Sequence, residues 1–111
     1  MKKYLILILI LATSCISPQA DLRLEGDIFG YQDDDYCMII FHVKNYGNKP
    51  ALWAKANIQV LETEGGNILD VYDEYLGDFL PGETRRFESD LPRQFQWGDD
   101  ITIKMIFRWE R

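Results

Sequence analysis

His42 is the only histidine in the chain, and it sits inside the apolar run 37–43. Transition-metal sites gather His and Cys in groups, and no second ligand stands at a suitable spacing from it. A serine hydrolase would need His42 as its base and a Gly-x-Ser-x-Gly turn to present the nucleophile, and the sequence contains no such turn. Carboxylates are numerous, 18 against 12 basic residues. Asp33, Asp34 and Asp35 are adjacent, whereas a calcium loop of the EF-hand kind alternates its ligands and adds a bidentate Glu; the triplet reads as a solvated turn. Asp70, Asp73, Glu74 and Asp78 form a second acidic stretch, but a catalytic pair needs one carboxyl raised by an apolar setting. The sequence therefore assigns no catalytic residue, no metal ligand and no cofactor. Aromatics make up 14% of the chain, enough to ask whether some face a ligand. Trp53, Tyr72 and Trp97 are read first as core or sheet-edge cover, and second as a platform for a sugar ring or a peptide.

The remaining chemistry is at the N-terminus. Met1, Lys2, Lys3 and Tyr4 precede an unbroken apolar run over 5–12, followed by Thr13, Ser14 and Cys15. A basic start, an apolar centre and small residues are the parts of a secretory signal. The run is short of the ~20 residues a membrane span requires. The segment Leu11-Ala12-Thr13-Ser14-Cys15 resembles the bacterial lipobox, which implies cleavage before Cys15 and acylation of its thiol. Residues 1–14 are then a signal peptide, 15–20 a lipidated Cys and short tether, and 21–111 the folded domain. Burying acyl chains contributes ~0.8 kcal/mol per CH₂, and two or three chains on one Cys suffice for stable anchoring. The expected location is the cell envelope, facing the periplasm or exterior, with the membrane as partner through Cys15.

Loss of Lys2 and Lys3 with the signal leaves 10 basic and 18 acidic residues, a net charge near −8. That balance excludes nucleic acid as an expected partner, because phosphate backbones select basic surfaces. Cys37 lies in the strongest apolar run and reads as a small buried hydrophobe; no neighbouring base or helix terminus activates its thiol.

The elements that must position these residues are strands. Leu22 and Leu24 alternate with polar residues and open a first strand that extends towards Ile28, before a polar turn over 30–35. Residues 36–44 place Ile39, Phe41 and Val43 on one face and Met38, Ile40 and His42 on the other, the pattern of a central strand. Residues 45–50 form a turn, in which Gly47 permits unusual backbone angles, Asn45 and Asn48 bond locally, and Pro50 cannot donate. Along 51–62, Leu52, Ala54, Ala56, Ile58 and Val60 alternate against Trp53, Lys55, Asn57, Gln59 and Leu61. Gly65-Gly66 marks a hairpin, residues 68–76 return, and Pro81-Gly82-Glu83 turns into a short strand around Phe87. After a loop over 91–100, a last strand places Ile101, Ile103, Met105, Phe107 and Trp109 on one face. About seven such strands in one domain predict an all-β, immunoglobulin-like antiparallel sandwich.

The run Phe41-His42-Val43-Lys44-Asn45, the turn through Gly47, the alternation Ala56, Ile58, Val60, the Gly65-Gly66 hairpin and Leu80-Pro81-Gly82-Glu83 before Phe87 resemble immunoglobulin-like domains of the FxLYD and CARDB-like families. The resemblance covers residues 36–89. It implies an extracytoplasmic module with a protein or glycan partner and no catalysis. The alternative is a structural or accessory subunit of a cell-envelope assembly that uses free sheet edges for strand addition.

Overall fold

A computed structural model describes residues 19–33, 36–92, 95 and 100–110. Seven strands follow one another: β1 (Leu22–Leu24), β2 (Phe29–Asp33), β3 (Tyr36–Asn45), β4 (Ala51–Glu62), β5 (Ile68–Phe79), β6 (Thr84–Asp90) and β7 (Ile101–Glu110). The described residues hold no helix, and all strand pairings are antiparallel. The expected all-β sandwich of about seven strands is the observed architecture.

The first sheet is built on β3. β6 runs along one edge of β3 from Met38↔Asp90 to Lys44↔Thr84. A strand has two edges, so β1 (paired with residues 43–45) and β2 (paired with residues 36–40) must share the other. They behave as one interrupted edge strand, broken where Gly26 takes a φ of 78°. The first strand therefore ends at Leu24 and does not continue to Ile28. The expected polar turn over 30–35 is also corrected, since residues 30–33 pair with β3 as far as Asp33↔Tyr36. Tyr31 pairs with Met38 and Gln32 with Cys37, and pairing with a strongly apolar strand outweighs the polarity of the segment. Asp34 and Asp35 lie outside the described residues.

The second sheet has the order β5-β4-β7. The core lies between the sheets, where Phe41, Val43, Ile58, Val60 and Phe79 are fully buried. Phe87 of the first sheet packs against Phe41, with ring centroids 5.5 Å apart, and against Phe79 of the second sheet at 6.1 Å. Aromatic pairs at such separations add to simple area burial. Cys37 is 3% exposed and occupies the core, as its neighbours in sequence imply. The alternation read for β7 holds: Ile101, Ile103, Met105, Phe107 and Trp109 pack on the core and are partly buried.

One polar residue, Asn45, is fully buried at the end of β3. Its Oδ1 accepts from the Asp21 N–H at 3.1 Å and the Gly47 N–H at 3.0 Å, and its Nδ2 donates to the Lys49 carbonyl at 2.9 Å. The Tyr46 N–H donates to the Asp21 carbonyl and the Asn48 N–H to the Gln19 carbonyl, while the Gln19 N–H donates to Asn48 Oδ1. Gln19 and Asp21 are thus tied to the turn that follows β3, and Ala20 packs on the core.

The Leu80–Glu83 corner is a tight turn with Pro81 and Gly82 at its centre. The Glu83 N–H donates to the Leu80 carbonyl at 3.0 Å and Gly82 takes a φ of 79°, the Pro-Gly arrangement of a type II turn. Glu83 closes it with its carboxylate, accepting from the Leu80 N–H at 2.8 Å and from Arg85 Nε at 2.7 Å. The Leu80 hydrogen bond, and after it the Arg85 contact, hold the Glu83 carboxyl below its usual range against a partial desolvation effect. A depressed folded value stabilises fully above the unfolded pKa of about 4.3, and that stabilisation is lost as pH falls through the folded value. Urea titrations between about pH 7 and about pH 3 should therefore show a smaller acid-induced loss in Glu83→Gln than in the parent. Identical losses would remove Glu83 from the acid response.

Candidate functional site

The face of the second sheet turned away from the core is set by period two. Lys55 pairs with Tyr75 on β5 and with Arg108 on β7, so these three side chains form one row across the sheet. The next row is Asp73, Asn57 and Ile106, in which Asn57 Nδ2 donates to Asp73 Oδ1 at 3.0 Å.

Trp53 breaks the regularity of β4 beside the first row. Its φ is 54°, a left-handed conformation that is a true outlier for a bulky residue. The register with both neighbours slips here, between Ala51 and Lys55 on the β5 side and between Leu52 and Lys55 on the β7 side. The slip moves the inward position from Leu52, which alternation assigned to the core, to Ala51, which is fully buried. The Trp53 N–H donates to Asp78 Oδ1 at 2.8 Å, which stabilises the irregular backbone. The indole is 60% exposed and Tyr75 is 59% exposed; their ring centroids are 6.3 Å apart and tilted by 46°. Trp53, Lys55, Tyr75, Arg108, Trp109 and Glu110 line an open hollow of about 460 Å³.

Of the three aromatics singled out from sequence, Trp53 lies here. Tyr72 does not: it faces inward, packs on the core, and its hydroxyl lies 3.0 Å from the Ser89 hydroxyl. Burial raises the Tyr72 phenol above its ordinary pKa, while the Ser89 hydrogen bond pulls it down. Tyr72 thus meets its core reading, and Tyr75 takes its place beside Trp53. Trp97 and Cys15 lie outside the described residues.

The other candidates are dispersed. His42 lies on the outer face of the first sheet, opposite Arg86. The acidic stretch is spread along both faces of β5. Asp73 and Asp78 are tied to Asn57 and Trp53, Asp70 Oδ1 accepts from the Val71 N–H, and Glu74 sits at an inward-facing position. Among the described residues, no group of three His, Cys, Asp or Glu side chains is placed to hold a metal ion.

Sequence reasoning missed Tyr75 and Arg108. Lys55 was already on the Trp53 side of the alternation, but Tyr72 and Tyr75 differ in parity, so only one can share that face. Which one depends on pairing register, and a one-residue slip exchanges the faces. No family model matches this chain, and neither the curated proteins nor the solved structures compared with it include a match.

Proposed function

We propose that this chain is a membrane-anchored extracytoplasmic lipoprotein whose β-sandwich is a non-catalytic binding module, of the kind its resemblance to FxLYD and CARDB-like domains implies. Trp53 carries the binding reading. A left-handed conformation costs an L-residue roughly 1–2 kcal/mol, and strain of that kind collects at ligand sites. Trp53 recovers little through burial, because most of its indole faces solvent beside Tyr75. The anchoring reading rests on the lipobox-like segment ending in Cys15.

Trp53→Gly separates a site from a structural residue. Glycine relieves the positive φ but adds unfolded-state entropy, so stability should stay within about 1 kcal/mol of the parent. A core tryptophan would cost about 3–5 kcal/mol on truncation. Full-length protein recovered from envelope extracts should bring down a defined glycan or protein component that Trp53→Gly fails to retain. Equal retention by both forms, or substrate turnover lost on replacing Asp or Glu residues, would remove the binding-module reading. Radiolabelled palmitate should enter the parent and not Cys15→Ser; equal labelling would remove the anchor.

A second reading, an accessory subunit joined by strand addition, draws on the edges of the second sheet, where β5 and β7 each pair only with β4 among the described residues. Asp70 and Glu74 point inward along β5, a placement that blunts edge pairing, so the β7 edge suits this role better. A stoichiometric complex that survives Trp53→Gly would favour it.

A further inference from the structure

We infer that the Trp53 hollow takes an acidic saccharide, a sugar ring bearing a carboxylate or phosphate; this deepens the binding-module reading and rests on it. Lys55 and Arg108 are directly opposite cross-strand neighbours. Like charges so placed, with Cβ atoms about 4.5–5.5 Å apart, are destabilising. Neither forms a salt bridge among the described residues, although the chain carries 18 acidic side chains against 12 basic ones. Two adjacent cations on an acidic protein, with Glu110 as the one carboxylate lining the hollow, form a local site for an anion that the overall charge opposes. Trp53 and Tyr75, both more than half exposed, line the same hollow and supply aromatic surface on which the apolar C–H face of a sugar can stack.

The strand pairing selects among anionic partners. β4 is the central strand of its sheet and its backbone is committed to β5 and β7. The Trp53 N–H is committed to Asp78. A peptide cannot be held against β4 by strand addition, which needs a free edge, so recognition beside Trp53 and Lys55 falls to side chains. An anionic bilayer is also disfavoured, because lipid recognition uses clusters of four to eight basic residues and this row has two. A ring that stacks on the indole and directs its anion to Lys55 and Arg108 uses all four groups.

The test titrates full-length protein with trigalacturonate, galactotriose, a sugar phosphate and an acidic hexapeptide, following tryptophan fluorescence and heat. Trigalacturonate or the sugar phosphate should bind saturably, at least about ten-fold more tightly than galactotriose, and more weakly as salt is raised. Whichever of the two binds more tightly identifies the anion. Lys55→Gln and Arg108→Gln should each weaken that binding about ten-fold, the effect of one charge-assisted hydrogen bond, and Trp53→Gly should abolish it. Equal binding of galactotriose that still requires Trp53 would overturn the acidic assignment and leave the binding site standing. Binding of the hexapeptide alone, or of no titrant, would overturn it as well, whereas the binding-module reading falls only if Trp53→Gly retains every envelope component that the parent retains.

Discussion

Asn45→Ala is expected to lower the stability of the domain by about 3–5 kcal/mol. The substitution removes three side-chain hydrogen bonds and strands three backbone groups, the N–H of Asp21, the N–H of Gly47 and the carbonyl of Lys49. A buried polar group left without its partner costs about 1–3 kcal/mol, and the upper end is not reached for all three because the contacts are only part-buried. Domains of this size are stable by about 5–15 kcal/mol, so the loss is a large share of the whole. Asn45→Asp is no rescue: its carboxylate still accepts from Asp21 and Gly47 but faces the Lys49 carbonyl with no proton to donate. Equilibrium urea unfolding measures both variants. A loss below about 1 kcal/mol for Asn45→Ala would show that water replaces the side chain at little cost.

Gly47→Ala is expected to cost about 2–4 kcal/mol by releasing the segment that leads into the domain. A Cβ at Gly47 would lie 2.1 Å from the Gln19 carbonyl oxygen, 2.8 Å from Ala20 Cα and 2.8 Å from the Asp21 nitrogen. All three are backbone atoms, so no side-chain rotation relieves the clash and the backbone of residues 19–21 must itself move. Four hydrogen bonds depend on that approach: Asn48 N–H to Gln19, Gln19 N–H to Asn48, Tyr46 N–H to Asp21, and Asp21 N–H to Asn45. Each contributes about 1 kcal/mol net. Amide exchange at Gln19, Asp21 and Asn48 should accelerate more than exchange at the centre of β3. Unchanged protection there would mean the segment adapts without detaching. On the proposed anchoring, the same variant lengthens the tether to Cys15 by the residues it frees.

Local chemistry carried much of the architecture. Alternation along residues 36–44 and 101–109 sufficed to group Phe41 with Val43 and Ile103 with Phe107 on one face each, because the two-residue period of a strand leaves one choice per residue once a face is buried. Pro81-Gly82 and Gly65-Gly66 declared their turns through backbone angles that few other residues adopt.

Pairing and register belong to the tertiary structure. Residues 30–33 read as turn because they are locally polar, yet they pair with β3, whose apolar strand supplies the missing drive. Asn45 read as a local turn former; its third bond reaches Asp21, a residue 24 positions earlier, which no local rule anticipates. The candidate site is the clearest case. From sequence, Trp53 was one of three scattered aromatics, with Tyr72 and Trp97, and Tyr75 was not among them. The sequence determined that strands would form and that the surface would be acidic. Only the fold decided that Trp53 would sit at a register slip and that Tyr75, Lys55 and Arg108 would stand in one row beside it. Side-chain parity is a property of a single strand, whereas a row across three strands is set by their mutual register, and that is fixed by packing the whole sandwich.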